Sequence, residues 1–195
     1  MATALALPGW GTSPARMVPI CDELSAHGIH AKPWRYDPVG SIRSLGMHLA
    51  RVLASRTGPI HLVGHSLGGL VVASAVVHHG ADAASVTTIN SPWRGTWAAW
   101  TAHPGDPLGQ ELRWGADALR DLRAALAHHL EEPSGPRWSV LSAAGDLAVP
   151  ITGSTRVPSG ERLTTWIVPA NGHSVSLLHE RMIDAVVGSV VGVAA

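Results

Sequence analysis

Phenylalanine is absent from this chain of 195 residues, tyrosine and cysteine occur once each, and charged residues make up only 14%. The lone cysteine, Cys21, excludes an internal disulfide framework. Lys and Arg balance Asp and Glu at 14 each, without a basic block or stripe. Neither a nucleic-acid partner nor an anionic membrane is therefore indicated. No apolar run approaches the roughly 18 residues of a membrane span. The start, Met-Ala-Thr-Ala-Leu-Ala-Leu-Pro, has no basic n-region and no long h-region, so no signal peptide is expected. That fits a cytoplasmic protein, or a secreted mature form lacking its leader. Metal-ligand spacings are missing too: neither H-E-x-x-H nor paired Cys and His occurs, and neither a metal nor another cofactor is expected. Length and low charge point to one well-buried domain over residues 1–195.

What the chain does have is concentrated in residues 60–69, Ile-His-Leu-Val-Gly-His-Ser-Leu-Gly-Gly. Ile60, Leu62 and Val63 follow Gly58-Pro59 and read as a short strand buried on both faces. The segment from Leu67 to His79 is apolar nearly all round and is closed by Gly80, as in a helix buried against a sheet centre. Between them, Gly64-His65-Ser66-Leu67-Gly68 matches the G-x-S-x-G pattern, with a serine on a tight strand-to-helix turn. Glycines at both ends suit a turn in which backbone approaches backbone closely. The serine itself must hold a strained conformation. Ser66 is thus a candidate nucleophile.

The remainder alternates between strand and helix patterns. Strands are expected at Ala4–Leu7, Ile29–Tyr36, Ser85–Ile89, Trp138–Ser142 and Leu163–Val168, besides the one before Ser66. A helix should run to about Ala26, with Pro19 in its first turn. Ser41 can cap another that carries Ile42, Leu45, Leu49, Val52 and Leu53. Leu108, Leu112, Ala116, Leu119, Leu122, Leu126 and Leu130 recur at helical spacing, and Val175–Val191 reads as a closing helix. Such alternation implies a mostly parallel six-stranded sheet with helices on both faces, with the chemistry at the carboxyl ends of the strands.

A serine hydroxyl needs a base to take its proton. Of the twelve histidines, His173 follows the last strand directly, in Pro169-Ala170-Asn171-Gly172-His173-Ser174. His179, in the final helix, is the alternative, while His65 is expected to point away. The His78-His79 and His128-His129 pairs fall at helix ends, which favour histidine. The base in turn needs a carboxylate to hold its tautomer. Asp146 follows the fifth strand, and Asp106 is the alternative. The order Ser66, Asp146, His173 is the nucleophile–acid–base order of α/β-hydrolases. For an oxyanion, the Leu67 N–H at the helix start is one donor, and the Trp10 N–H of Gly9-Trp10-Gly11 is assigned as the second.

With these residues assembled, the chain resembles the α/β-hydrolase superfamily, most closely its small bacterial lipases and esterases. Gly64–Gly69 is similar to the family's nucleophile turn, and Asn90–Thr96 to the segment after the following strand. Asp146–Pro150 resembles its acid motif, and Gly172-His173 its base motif. Pro8 stands where the family commonly has His. The resemblance implies a single-domain α/β-hydrolase fold and a serine carboxylic-ester hydrolase working through an acyl-enzyme on a small-molecule or lipid-like ester. A thioesterase, acyltransferase or amidase would use the same residues, and a catalytically silent binding protein could share the fold.

Trp93, Trp97, Trp100 and Trp114 cluster between the fourth and fifth strands, the usual place for a cap. Trp93, Trp97 and Trp100 are candidate substrate-binding residues. The same side chains could instead anchor the long loop. Residues 91–133 include a helix of about 20 residues, which leaves at most a small cap and favours an open site.

Overall fold

The structure, a computed structural model, describes residues 1–192, so the last three residues of the expected 1–195 domain lie outside the described residues. Among the described residues six strands form one sheet: β1 (Thr3–Leu7), β2 (His30–Pro33), β3 (Ile60–His65), β4 (Ser85–Ile89), β5 (Arg137–Gly145) and β6 (Leu163–Asn171). Their order is β2-β1-β3-β4-β5-β6, and every pairing is parallel. Among the described residues six α-helices accompany them: α1 (Val18–Ala26), α2 (Ile42–Leu53), α3 (Leu67–Val77), α4 (Pro107–Glu111), α5 (Asp117–Glu131) and α6 (Glu180–Val191).

Because strand side chains alternate, each strand feeds two cores. Leu5, Leu7, Leu62, Val86 and Val140 pack with α2, α3 and α5 on one face. Ala4, Ala6, Val63, Ile89 and Leu141 pack with α1 and α6 on the other. α3 lies between α2 and α5 and is buried on every side from Leu67 to Val76, as its uniformly apolar sequence requires. Ser41 and Ser44 complete a reciprocal capping box at the start of α2, at 3.0 and 2.9 Å.

β5 and β6 run three residues further than expected, to Gly145 and Asn171, and three other elements differ in kind. β2 stops at Pro33 instead of continuing to Tyr36. The Trp34 N–H still donates to Ala6, but the Tyr36 hydroxyl then bonds the Pro8 carbonyl at 2.9 Å, which carries the chain across the end of β1. The leucine repeat from Leu108 to Leu130 spans two helices, α4 and α5. The Leu112 carbonyl accepts the Thr96 N–H, and Gly115 turns at φ +76°. Spacing persists across the break because both helices face one core. The closing helix begins as a separate 3-10 turn, Val175–Leu178, before α6.

α5 packs on α3 as part of the body. Between β4 and α5, residues 91–116 hold the 3-10 helix Trp97–Thr101 and α4. No helix among the described residues is long and apolar enough to cross a membrane.

Candidate active site

β3 delivers Ser66 to the carboxyl edge of the sheet at φ 54° and ψ −121°, a conformation that few residues other than glycine adopt. The N–H of Ser66 is held by the Ile89 carbonyl at 2.8 Å, and Leu67 starts α3 immediately after it. The turn is possible only without side chains on its flanks. A Cβ on Gly68 would stand 2.5 Å from the Pro8 oxygen and 2.6 Å from that of Leu7, and one on Gly64 would meet the Gly68 backbone.

β5 and β6 are neighbours, and their ends bring the other two groups together. Asp146 follows Gly145, and Gly172 follows Asn171, with the Gly172 N–H donating to the Gly145 carbonyl. The Asp146 side chain is only 1% exposed, and its Oδ1 accepts the N–H groups of Ala148 and Val149, both at 2.9 Å. Its Oδ2 lies 2.7 Å from His173 Nδ1. Since a carboxylate only accepts, Nδ1 carries the hydrogen. That leaves His173 Nε2 as an acceptor, 2.8 Å from Ser66 Oγ. Asp146, His173 and Ser66 thus form one hydrogen-bonded chain that ends on the serine hydroxyl.

The alternatives are used elsewhere. Asp106 caps α4, with Oδ1 accepting the Leu108 N–H at 3.0 Å, and His179 occupies the N-cap of α6. His65, by contrast, does not point away from the site. Its ring lies 4.7 Å from that of His173, and burial pushes its pKa down to about 3.

Two backbone N–H groups lie close to the serine in the chain or in space. The Leu67 N–H heads α3, and Gly9 brings the Trp10 loop so close that a Cβ there would be 2.8 Å from Ser66 Cβ. Among the described residues, neither the Leu67 nor the Trp10 N–H has an acceptor. The same loop borders a cleft of about 390 Å³, whose far wall is Arg35, Tyr36, Asp37 and Pro38. That wall was hidden from the sequence by the overlong reading of β2.

Of the three candidate tryptophans, Trp93 is a correction: its side chain is completely buried, packed in the core shared by α3 and α5, and has no surface for a ligand. Trp97 and Trp100 are 55% and 63% exposed. The Trp97 indole N–H donates to the Leu147 carbonyl beside Asp146, and Trp100 stacks beneath Arg113 at 4.5 Å. Among the described residues no group of three or more His, Cys, Asp or Glu side chains is placed to hold a metal ion.

No protein-family model matches this chain, and no curated protein is detectably similar to it in sequence. Solved structures are similar in shape. The mature form of the lipase BlEst2 from Bacillus licheniformis superposes with a TM-score of 0.73 at 17% identity, over 95% of this chain and 89% of that one. Against the propeptide form of the same lipase, at 0.73 and 16%, the match covers 95% of this chain but only 50% of the other. The mouse α/β-hydrolase domain-containing protein 10 gives 0.65 at 12% identity, over 97% of this chain and 88% of that one. Sheet order, serine turn and these neighbours together show that the chain has an α/β-hydrolase fold.

Proposed function

We propose that the protein is a serine hydrolase that cleaves carboxylic esters through an acyl-enzyme. The observation that carries this reading is the unbroken chain Asp146–His173–Ser66, at 2.7 and 2.8 Å, ending on a strained serine. Ser66 Oγ attacks the ester carbonyl carbon while His173 Nε2 takes its proton. Asp146 holds the ring and stabilises the imidazolium that forms. The negative charge on the former carbonyl oxygen is received by the Leu67 and Trp10 N–H groups, each worth about 3 kcal/mol of transition-state stabilisation if it behaves as such donors usually do. Collapse expels the alcohol, which leaves with the proton from His173. Water then attacks the acyl-Ser66 carbonyl, giving its proton to His173, and the acid departs with Ser66 restored.

The cleft lined by Gly9, which is packed against Ser66, is the place proposed for a small-molecule ester, with the exposed Trp97 and Trp100 as further apolar surface. Likeness in shape to a protein named a lipase supports the same substrate class.

A fluorophosphonate probe followed by peptide mapping tests the reading, because it reacts only with an activated serine. Labelling at Ser66, abolished in Ser66→Ala, is expected. With p-nitrophenyl esters the same variant should lose about a million-fold in kcat if the three groups act as a unit. Labelling at another serine, or ester hydrolysis that survives Ser66→Ala, would overturn it.

A further inference from the structure

We propose that Asn90 is a positioning residue: its buried side-chain amide, with His65 and Ser176, grips the backbone carbonyl of His173 and so aims the imidazole at Ser66. The inference rests on His173 being the base of the proposed reaction.

Asn90 follows β4 directly and is completely buried, at φ 50°. Asparagine is among the few residues that tolerate this left-handed conformation. Its N–H donates to the Leu141 carbonyl at 2.8 Å. Its Oδ1 accepts the Ala143 N–H at 2.8 Å, a backbone donor on β5 beyond the point where β4 ends. The two hydrogens of Nδ2 are both used. One goes to the His173 carbonyl at 2.9 Å, the other to Ser176 Oγ at 2.8 Å. Ser176 Oγ passes its own hydrogen to that carbonyl at 2.9 Å. His65 Nε2 reaches it as well, at 3.1 Å, and must be the protonated nitrogen because a carbonyl can only accept. Three donors from three places in the chain therefore converge on one oxygen.

That oxygen belongs to the base itself. Gly172, just before it, turns at φ +76°, where the chain has most freedom, and the His173 ring is 23% exposed. Without the clamp, the ring would be held only through its own two nitrogens, Nδ1 on Asp146 and Nε2 on Ser66. Stability alone requires only that the buried Ala143 N–H find an acceptor, which the amide oxygen provides. What the amide adds is direction. It ties the end of β4, the end of β5 and the His173 loop at a single point, so the strand end that presents Asp146 is registered to the base, while His65 joins the end of β3, which presents Ser66, to the same carbonyl. A misplacement of about 1 Å at such a site costs on the order of a hundred-fold in rate.

Asn90→Gly tests this, because glycine keeps φ +50° accessible and removes only the side chain. Hydrolysis of p-nitrophenyl acetate is measured below the melting temperature, with active sites counted by burst titration. We expect kcat per titrated site to fall about a hundred-fold with KM within three-fold of the parent. A purely structural Asn90 would lower the number of titrated sites and leave kcat per site unchanged; that result overturns the inference. Should Asn90→Gly fail to fold, Ser176→Ala removes one donor to the same carbonyl, and an unchanged kcat per site there overturns it equally. Fluorophosphonate labelling of the parent protein separates the two levels. If Ser66 labels and the variants turn over normally, the clamp alone fails. If Ser66 does not label, the reading of the site fails and the clamp with it.

Discussion

The carboxylate of Asp146 reaches His173 with one oxygen only; the other is held by the turn that follows it, through the N–H groups of Ala148 and Val149. Asp146→Asn keeps that shape. Its carbonyl oxygen would stay on the two N–H groups and turn the amide NH2 toward His173 Nδ1. The hydrogen would then sit on Nε2, where Ser66 needs an acceptor. A loss of about 10⁴-fold in kcat is expected for ester hydrolysis, with the fold intact by circular dichroism. Asp106→Asn, which touches only the cap of α4, should hydrolyse the same ester at the parent rate. The reverse pattern would move the acid to Asp106.

Gly9 and Ser66 are close enough that one methyl group separates an open site from a blocked one. In Gly9→Ala the new Cβ would lie 2.8 Å from Ser66 Cβ and 3.0 Å from His65 Nδ1, so the Trp10 loop must move outward. If that loop supplies an oxyanion donor, kcat should drop about 10²- to 10³-fold while KM changes little. Steady-state kinetics with p-nitrophenyl acetate decide it. A KM effect alone would mean that the loop binds substrate without stabilising the transition state.

His65 makes acid stability measurable. Burial, and secondarily the nearby His173, push its pKa from 6.5 to about 3 in the folded protein. Above pH 6.5 both folded and unfolded forms are neutral and the group contributes no pH dependence. Between about 6.5 and about 3 the unfolded chain binds a proton that the folded one refuses, so stability falls as pH falls. From pH 7 to pH 5 this amounts to about 2 kcal/mol. Urea unfolding at both pH values should show the parent losing about that much more than His65→Asn. The other histidines whose pKa the fold lowers, His61, His78 and His129, contribute equally to both proteins and cancel in the comparison. Equal losses in the two proteins would mean that His65 is protonated in the fold.

The groups readable from the sequence are those whose position follows from the backbone. Gly64 and Gly68 had to be glycine because carbonyls crowd them, and Asp146 and His173 stand immediately after strands, where a parallel sheet gathers its loops. What escaped were contacts made by long-range side chains. His65 was expected to point away because it neighbours Ser66, yet its ring turns under the His173 carbonyl more than a hundred residues along the chain. Asn90 lay within a segment matched only as a motif, and nothing local reveals that its amide will meet β5 and the His173 loop. Trp93 misled for the opposite reason. Clustering with Trp97 and Trp100 suggested a shared surface, but successive residues of an irregular loop face different ways, and Trp93 turned inward. The leucine period likewise ran straight through the break between α4 and α5, since apolar spacing records the core and not the continuity of the helix.

Trp97 remains the best handle on substrate. Its N–H is spent on the Leu147 carbonyl at 2.8 Å, while 55% of the residue stays exposed beside Leu147, itself 82% exposed. The ring therefore offers an apolar face next to the acid turn, and the hydrogen bond keeps it there. If an acyl chain lies along that face, each methylene it shelters contributes up to about 0.8 kcal/mol, and the effect must grow with chain length. Trp97→Ala should then raise KM for p-nitrophenyl octanoate about ten-fold and leave the acetate unchanged. An anchoring role predicts something else: the Leu147 carbonyl loses its donor, the turn holding Asp146 loosens, and kcat falls for both esters alike. Trp97→Phe separates the two roles, because it keeps an apolar ring and deletes the N–H. Retained octanoate KM with lowered kcat on both esters would assign binding to the ring face and anchoring to the N–H. Loss of octanoate affinity in Trp97→Phe would mean that the hydrogen bond is what holds the face in place.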